Sequence, residues 1–153
     1  MALGESLNRD IKEQIRNKIS ALSDVEKVYT FMKLPLEGWP TVFVMYGNVE
    51  GEFSSNSENS RVYGYRILVL YQVGQSFQDI QDDRMQNAEE AIGQVVESIL
   101  NTIETDYELS NFNSEVLFVK ALDVTYGETE YDGGYAKSAE FTVNVYTEHN
   151  VTS

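Results

Sequence analysis

The chain has 153 residues, 42% of them hydrophobic and 12% aromatic, and its 25 acidic against 11 basic side chains give a formal net charge of -14. That length and composition suit one folded domain over 1–153 with a real core, not a disordered polymer. The absence of Cys excludes disulfides, thiol catalysis and Cys-based metal centres. The acidic excess argues against a surface built to hold nucleic acid or an anionic membrane.

No apolar run approaches the roughly 20 residues that cross a bilayer. The opening MALGESLNRDIKEQ lacks the basic-then-apolar pattern of a secretory signal, so a cytoplasmic setting is expected.

Taken in order, Leu7, Ile11, Ile15, Ile19 and Leu22 recur at helical spacing and predict an amphipathic first helix over 6–22. Arg9, Lys12, Arg16 and Lys18 ride on it, so charge is unevenly spread. VEKVYTF, 25–31, reads as a first strand, broken by MKLPLEGWP, where Pro35, Gly38 and Pro40 force a loop.

TVFVMY, 41–46, is a near-continuous apolar run, as expected of a strand covered on both faces. Gly47 and Gly51 mark bends or bulges beyond it. The polar stretch 52–61, EFSSNSENSR, reads as a loop or long hairpin tip.

Residues 62–73 alternate, with Tyr63, Tyr65, Ile67, Val69, Tyr71 and Val73 on one face and Gly64, Arg66, Leu68 and Leu70 on the other. A long helix then follows over 77–103, its apolar stripe running from Phe77 and Ile80 to Leu100 and Ile103. Asp79, Asp82 and Asp83 sit where carboxylates complement the positive end of the helix dipole.

Tyr107, Leu109 and Phe112 read as pegs in the connector that follows. Residues 116–126 predict a fourth strand, 127–134 a turn tightest at Asp132-Gly133, and 135–147 a fifth strand. On that strand Ala139, Phe141, Val143 and Val145 face inward, and Glu140, Thr142, Asn144 and Tyr146 outward. Residues 148–153 read as a frayed tail, leaving an ordered core of about 6–147. The fold class is α+β: a two-layer, mostly antiparallel five-stranded sheet packed by two helices in the order α-βββ-α-ββ.

Chemistry is sparse. The single histidine, His149, lies in the terminal segment, where a solvated residue is commoner than a base or ligand, and no Ser–His–Asp set can be assembled around it. Asp79, Asp82 and Asp83 lack the ligand spacing and bidentate Glu of a calcium loop. Gly127, Gly133 and Gly134 precede no helix and no Lys-Ser or Lys-Thr pair, so they are no phosphate loop. No cofactor, metal or enzymatic activity is expected.

Two residues stand out on their own chemistry. Trp39, between two breakers, is either a core peg or an interface anchor. Arg66, among apolar residues, calls for a carboxylate partner, in this chain or in a neighbouring subunit.

The element order, the acidic Cys-free composition and the stretches LEGWPTVFVMYG, YGYRILVLYQV and EEAIGQVVESIL resemble the tail terminator and tail-completion proteins of tailed bacteriophages over 7–147. The resemblance implies a virion protein of the tail or neck, assembled in the host cytoplasm into a homo-oligomeric ring, typically a hexamer. Its implied partners are the tail tube protein and the head-completion or connector protein, with no membrane. DNA would pass through without specific binding, which suits a pore lined by carboxylates in place of Lys and Arg.

On that reading the interface or lumen residues are Trp39, Glu50, Glu52, Glu58, Arg66, Glu128, Glu130, Asp132 and Tyr146. The chain also resembles the acidic small chaperones of type III secretion systems, which dimerise around an extended effector segment. Those usually add a C-terminal helix, which VYTEHNVTS is not expected to supply.

Overall fold

The computed structural model describes residues 6–32, 38–53, 58–74, 82–109, 112–131 and 134–150. Its elements are α1 (Leu7–Ser20), β1 (Lys27–Tyr29), β2 (Thr41–Phe53), β3 (Glu58–Gly74), α2 (Asp82–Thr105), β4 (Val116–Tyr131) and β5 (Gly134–Asn150). This is the expected α-βββ-α-ββ order, with five strands in one sheet arranged β1-β2-β3-β5-β4. β1 runs parallel to β2, and every other pairing is antiparallel.

The two helices share one face of the sheet. Ser6 caps α1, its side-chain oxygen accepting the Arg9 N–H at 3.2 Å, and Ile11, Ile15 and Ile19 are buried beneath the helix. Ala88, Ile92, Val95, Val96, Ile99 and Ile103 form the buried stripe of α2. From Ile92 onward they meet Val42, Val44, Tyr65, Ile67, Val69, Phe141, Val143 and Val145 in one continuous core, while Ala88 packs with Val73 and Tyr135. α1 covers the β1–β2 half of the sheet and α2 the β3–β5–β4 half. Asp24 and Ser98 tie the halves together: the Ser98 hydroxyl donates to Oδ2 of Asp24 at 2.7 Å, and Lys18 of α1 pairs with Asp106 just past α2.

Several strand limits differ from the sequence expectation. β1 pairs over only three residues, 27–29, because β2 offers it partners only at Thr41, Val42 and Phe43. β2 and β3 extend through most of the polar 52–61 stretch, to Phe53 and from Glu58, making it a long hairpin arm. That arm changes the end of the chain. Glu148, His149 and Asn150 continue β5 by pairing with Ser60, Asn59 and Glu58, so 148–150 are no frayed tail.

Of the expected turn at 127–134, residues 127–131 and 134 are strand, while its expected tightest point, Asp132-Gly133, lies outside the described residues. Gly127, Glu128, Thr129 and Glu130 pair with Ser138, Lys137, Ala136 and Tyr135, and the pairing closes at Tyr131 and Gly134. Gly47 does mark a register shift, between Tyr46 and Val49, whereas Gly51 pairs regularly with Arg61. In the connector Leu109 is fully buried and Phe112 partly so, but Tyr107 is exposed and is not a peg. Phe77, Asp79 and Ile80 lie outside the described residues.

Candidate interface surfaces

With both helices on one side, the opposite face of the sheet is where the outward side chains collect. It has two regions. Near the β4–β5 hairpin, Phe43, Leu70 and Ala136 are buried, with Tyr29, Trp39, Met45, Leu68 and Tyr131 packed against them. Thr41–Tyr46 is accordingly covered on both sides only as far as Val44, since Met45 is half-buried and Tyr46 exposed.

Trp39 is a peg of this second cluster. Its ring lies 5.2 Å from that of Tyr131, and the Thr41 hydroxyl donates to the Gly38 carbonyl to hold the approach. Tyr131 lies across its own hairpin, so a Cβ on Gly134 would fall 2.6 Å from the Tyr131 ring. The Trp39–Pro40 peptide is cis.

The other region is a shallow trough of about 370 Å³ whose floor runs over Gly47 and Gly64, with Glu50, Arg66, Glu140 and Asn144 among its walls. The two glycines are required by close approach. A Cβ on Gly47 would lie 2.9 Å from the Gly64 carbonyl oxygen, and one on Gly64 3.1 Å from the Asn48 carbonyl oxygen.

Arg66 finds its carboxylate within the chain: Nε and one terminal nitrogen bind Oε1 of Glu140 at 2.9 and 2.8 Å. The pair is about half exposed, 52% and 45% for the two side chains. The residue points to the solvent face, not to the helices. At the far end Tyr146 is half-buried, its ring stacked on Phe118 with centroids 4.4 Å apart.

The expected acidic sites divide. Glu50 stands exposed at the trough wall. Glu128 is engaged on the helix side, where Nζ of Lys137 binds it at 2.8 Å and Glu89 of α2 at 2.7 Å. The Lys137 ammonium, with the Tyr135 hydroxyl, holds the Glu128 carboxyl below the ordinary carboxylate range. The two carboxylates in turn raise the Lys137 ammonium above its usual value. Glu130 is exposed and pairs across from Tyr135. The side chains of Glu52 and Glu58, and all of Asp132, lie outside the described residues.

Sequence reasoning missed the Lys137 clasp and Tyr126, which is 51% exposed between β4 and α2. Burial and the nearby carboxylates of Glu97 and Glu89 raise the Tyr126 phenol above its usual value. The turn reading of 127–134 hid the clasp, because strand pairing through Gly127 is what sets Glu128 opposite Lys137. Tyr126 lies in the expected strand 116–126, and what the sequence does not show is that α2 packs beside it.

Among the described residues no group of three His, Cys, Asp or Glu side chains is placed to hold a metal, and no helix is long and apolar enough to cross a membrane. No family model matches the chain, and no curated protein matches it. Among solved structures it is similar to a chain from the virion of a native gene transfer agent (GTA) particle. The identity is 15%, over 95% of this chain and 98% of that chain, with a TM-score of 0.44. A likeness that loose carries no argument about function.

Proposed function

We propose that this chain is a structural virion protein of a tailed phage, forming a hexameric ring that terminates the tail tube and joins it to the head. The observation that supports the reading is the α-βββ-α-ββ order, with both helices on one face of a β1-β2-β3-β5-β4 sheet. That arrangement leaves the opposite face and both lateral edges for subunits and virion partners. The surplus of carboxylates, -14 net, suits a channel through which DNA slides without being held. Glu50 and Glu130 are the exposed acidic groups assigned to that channel, because Lys137 already neutralises Glu128. The role is architectural, not catalytic, and it is played at the tail or neck after assembly in the host cytoplasm.

Negative-stain imaging and native mass measurement of the purified chain test this. The expected result is a closed ring with a central opening that caps purified tail tubes. A strict monomer at high micromolar concentration, alone and with tubes, overturns it. A dimer that solubilises an extended peptide replaces it with a secretion-chaperone role.

A further inference from the structure

Charge is divided along the chain. Residues 1–33 hold six basic and five acidic side chains, and residues 34–153 hold five basic and twenty acidic, so their net charges are +1 and -15. The fold converts this into two unlike edges of one sheet. At the β1–β2 edge, Lys12 of α1 lies 3.8 Å from the centre of the Tyr46 ring and donates to the Thr30 carbonyl at 3.3 Å. Around it Phe31, Met32, Tyr46 and Val49 are all about half exposed or more, between 48% and 60%. Arg61 stands on the adjoining hairpin arm opposite Gly51, two register steps beyond the Val49–Tyr63 pair. Among the described residues neither Lys12 nor Arg61 forms an ion pair.

The β4 edge is the converse. A groove between β4 and α2 is lined by Tyr126, Glu89 and Glu128, and exposed Glu97 lies close enough to act on the Tyr126 phenol. Lys137 answers one of the paired carboxylates, so the groove keeps a negative excess.

Resting on the ring reading above, we propose that the basic, apolar edge at Lys12, Tyr46, Val49 and Arg61 of one copy seats in the acidic, aromatic groove at Glu97 and Tyr126 of the next. The occupant is a second copy of this chain because the two surfaces complement one another in charge and lie on opposite edges of the same sheet. That is the geometry of a head-to-tail contact, which closes into a ring or runs on as a filament. It is made by side chains, not by an added strand pair. Both free edges carry register shifts, at Tyr46–Val49 and at Leu122–Thr125, with Asp123 in the left-handed region at φ 47°, and these interrupt a continuous ladder.

The test uses two variants of the whole chain: K12E with R61E, which spoils the first edge, and E97K with Y126S, which spoils the second. The wild-type oligomer is measured first, by native mass and sedimentation. Each variant alone is expected to be a folded monomer by circular dichroism. Their equimolar mixture is expected to restore association, since one copy brings an intact groove and the other an intact basic edge. The milder K12Q with R61Q weakens assembly in the same direction and stands in should the charge reversal unfold the chain. Variants that assemble like the wild type, or a mixture that stays monomeric, overturn this assignment while leaving the ring reading intact. A wild type that is monomeric at every concentration, with and without tail tubes, removes both.

Discussion

At the scale of single residues, Tyr65 shows how this core admits a polar group. Its ring is fully buried under α1, and its hydroxyl oxygen lies 2.9 Å from the Asn8 carbonyl and 2.6 Å from Oδ1 of Asn8. Burial, reinforced by Tyr63 and Tyr46, pushes the phenol far above the ordinary tyrosine range. The folded chain therefore keeps this proton where an unfolded chain releases it, near pH 10. The stability attached to Tyr65 is complete below about pH 10 and falls as the pH rises above it, because the unfolded state then binds fewer protons. Tyr65→Phe removes the hydrogen bond, at a cost of about 1–2 kcal/mol near neutral pH. For a chain of this size that lowers Tm by roughly 2–8 °C. The variant should also lose stability less steeply than wild type between pH 9.5 and 11. Thermal melts across that range check both, and parallel pH curves for the two proteins would show that the phenol does not govern the alkaline limb.

Among the elements, α2 and the β2–β3 arm respond oppositely to the same change. Gly93 lies inside α2, and a Cβ built there has nothing within 4 Å. Gly93→Ala should therefore stabilise by about 0.5–1 kcal/mol, through helix propensity and a less free unfolded chain. Gly47 sits at the register shift of β2, where a Cβ would lie 2.9 Å from a backbone oxygen of β3 that cannot swing away. Gly47→Ala should cost about 1–3 kcal/mol, the range for forcing an extra methyl into a packed site. Paired melts read the two signs directly. The same two elements show what the sequence makes legible. The α2 stripe and the alternation of β3 and β5 could be read because each is a local period with one buried side. Strand lengths could not, because they depend on distant partners: Glu148 to Asn150 become strand only because Glu58 to Ser60 pair with them. The Arg66–Glu140 pair spans 74 positions, so the sequence shows the need for a carboxylate but not which one. Trp39 likewise becomes a peg only when Tyr131 arrives from the far hairpin.

For the whole molecule, the -14 net charge makes fold and assembly respond to salt with opposite signs. Carboxylates spread over α2, β4 and the hairpin arm repel one another in the folded chain more than in an expanded one, which costs stability at low ionic strength. Raising salt from about 0.01 to 0.15 M shortens the screening length from roughly 30 to 8 Å. That removes most repulsion between separated surface charges, so Tm of the monomeric K12E/R61E variant should rise by a few degrees. The contact between copies rests on attraction across the Lys12–Arg61 and Glu97 edges, and the same salt screens it. The wild-type oligomer should therefore fall apart over the range in which the monomer grows more stable. Sedimentation of the wild type alongside melts of the variant measures the two together, with sucrose at matched osmolality as a control for surface exclusion. An oligomer that tightens with salt would place the weight of the contact on Phe31, Met32, Tyr46 and Val49 instead. Burial of those apolar groups is not weakened by screening, and charge would then set only the order in which copies meet.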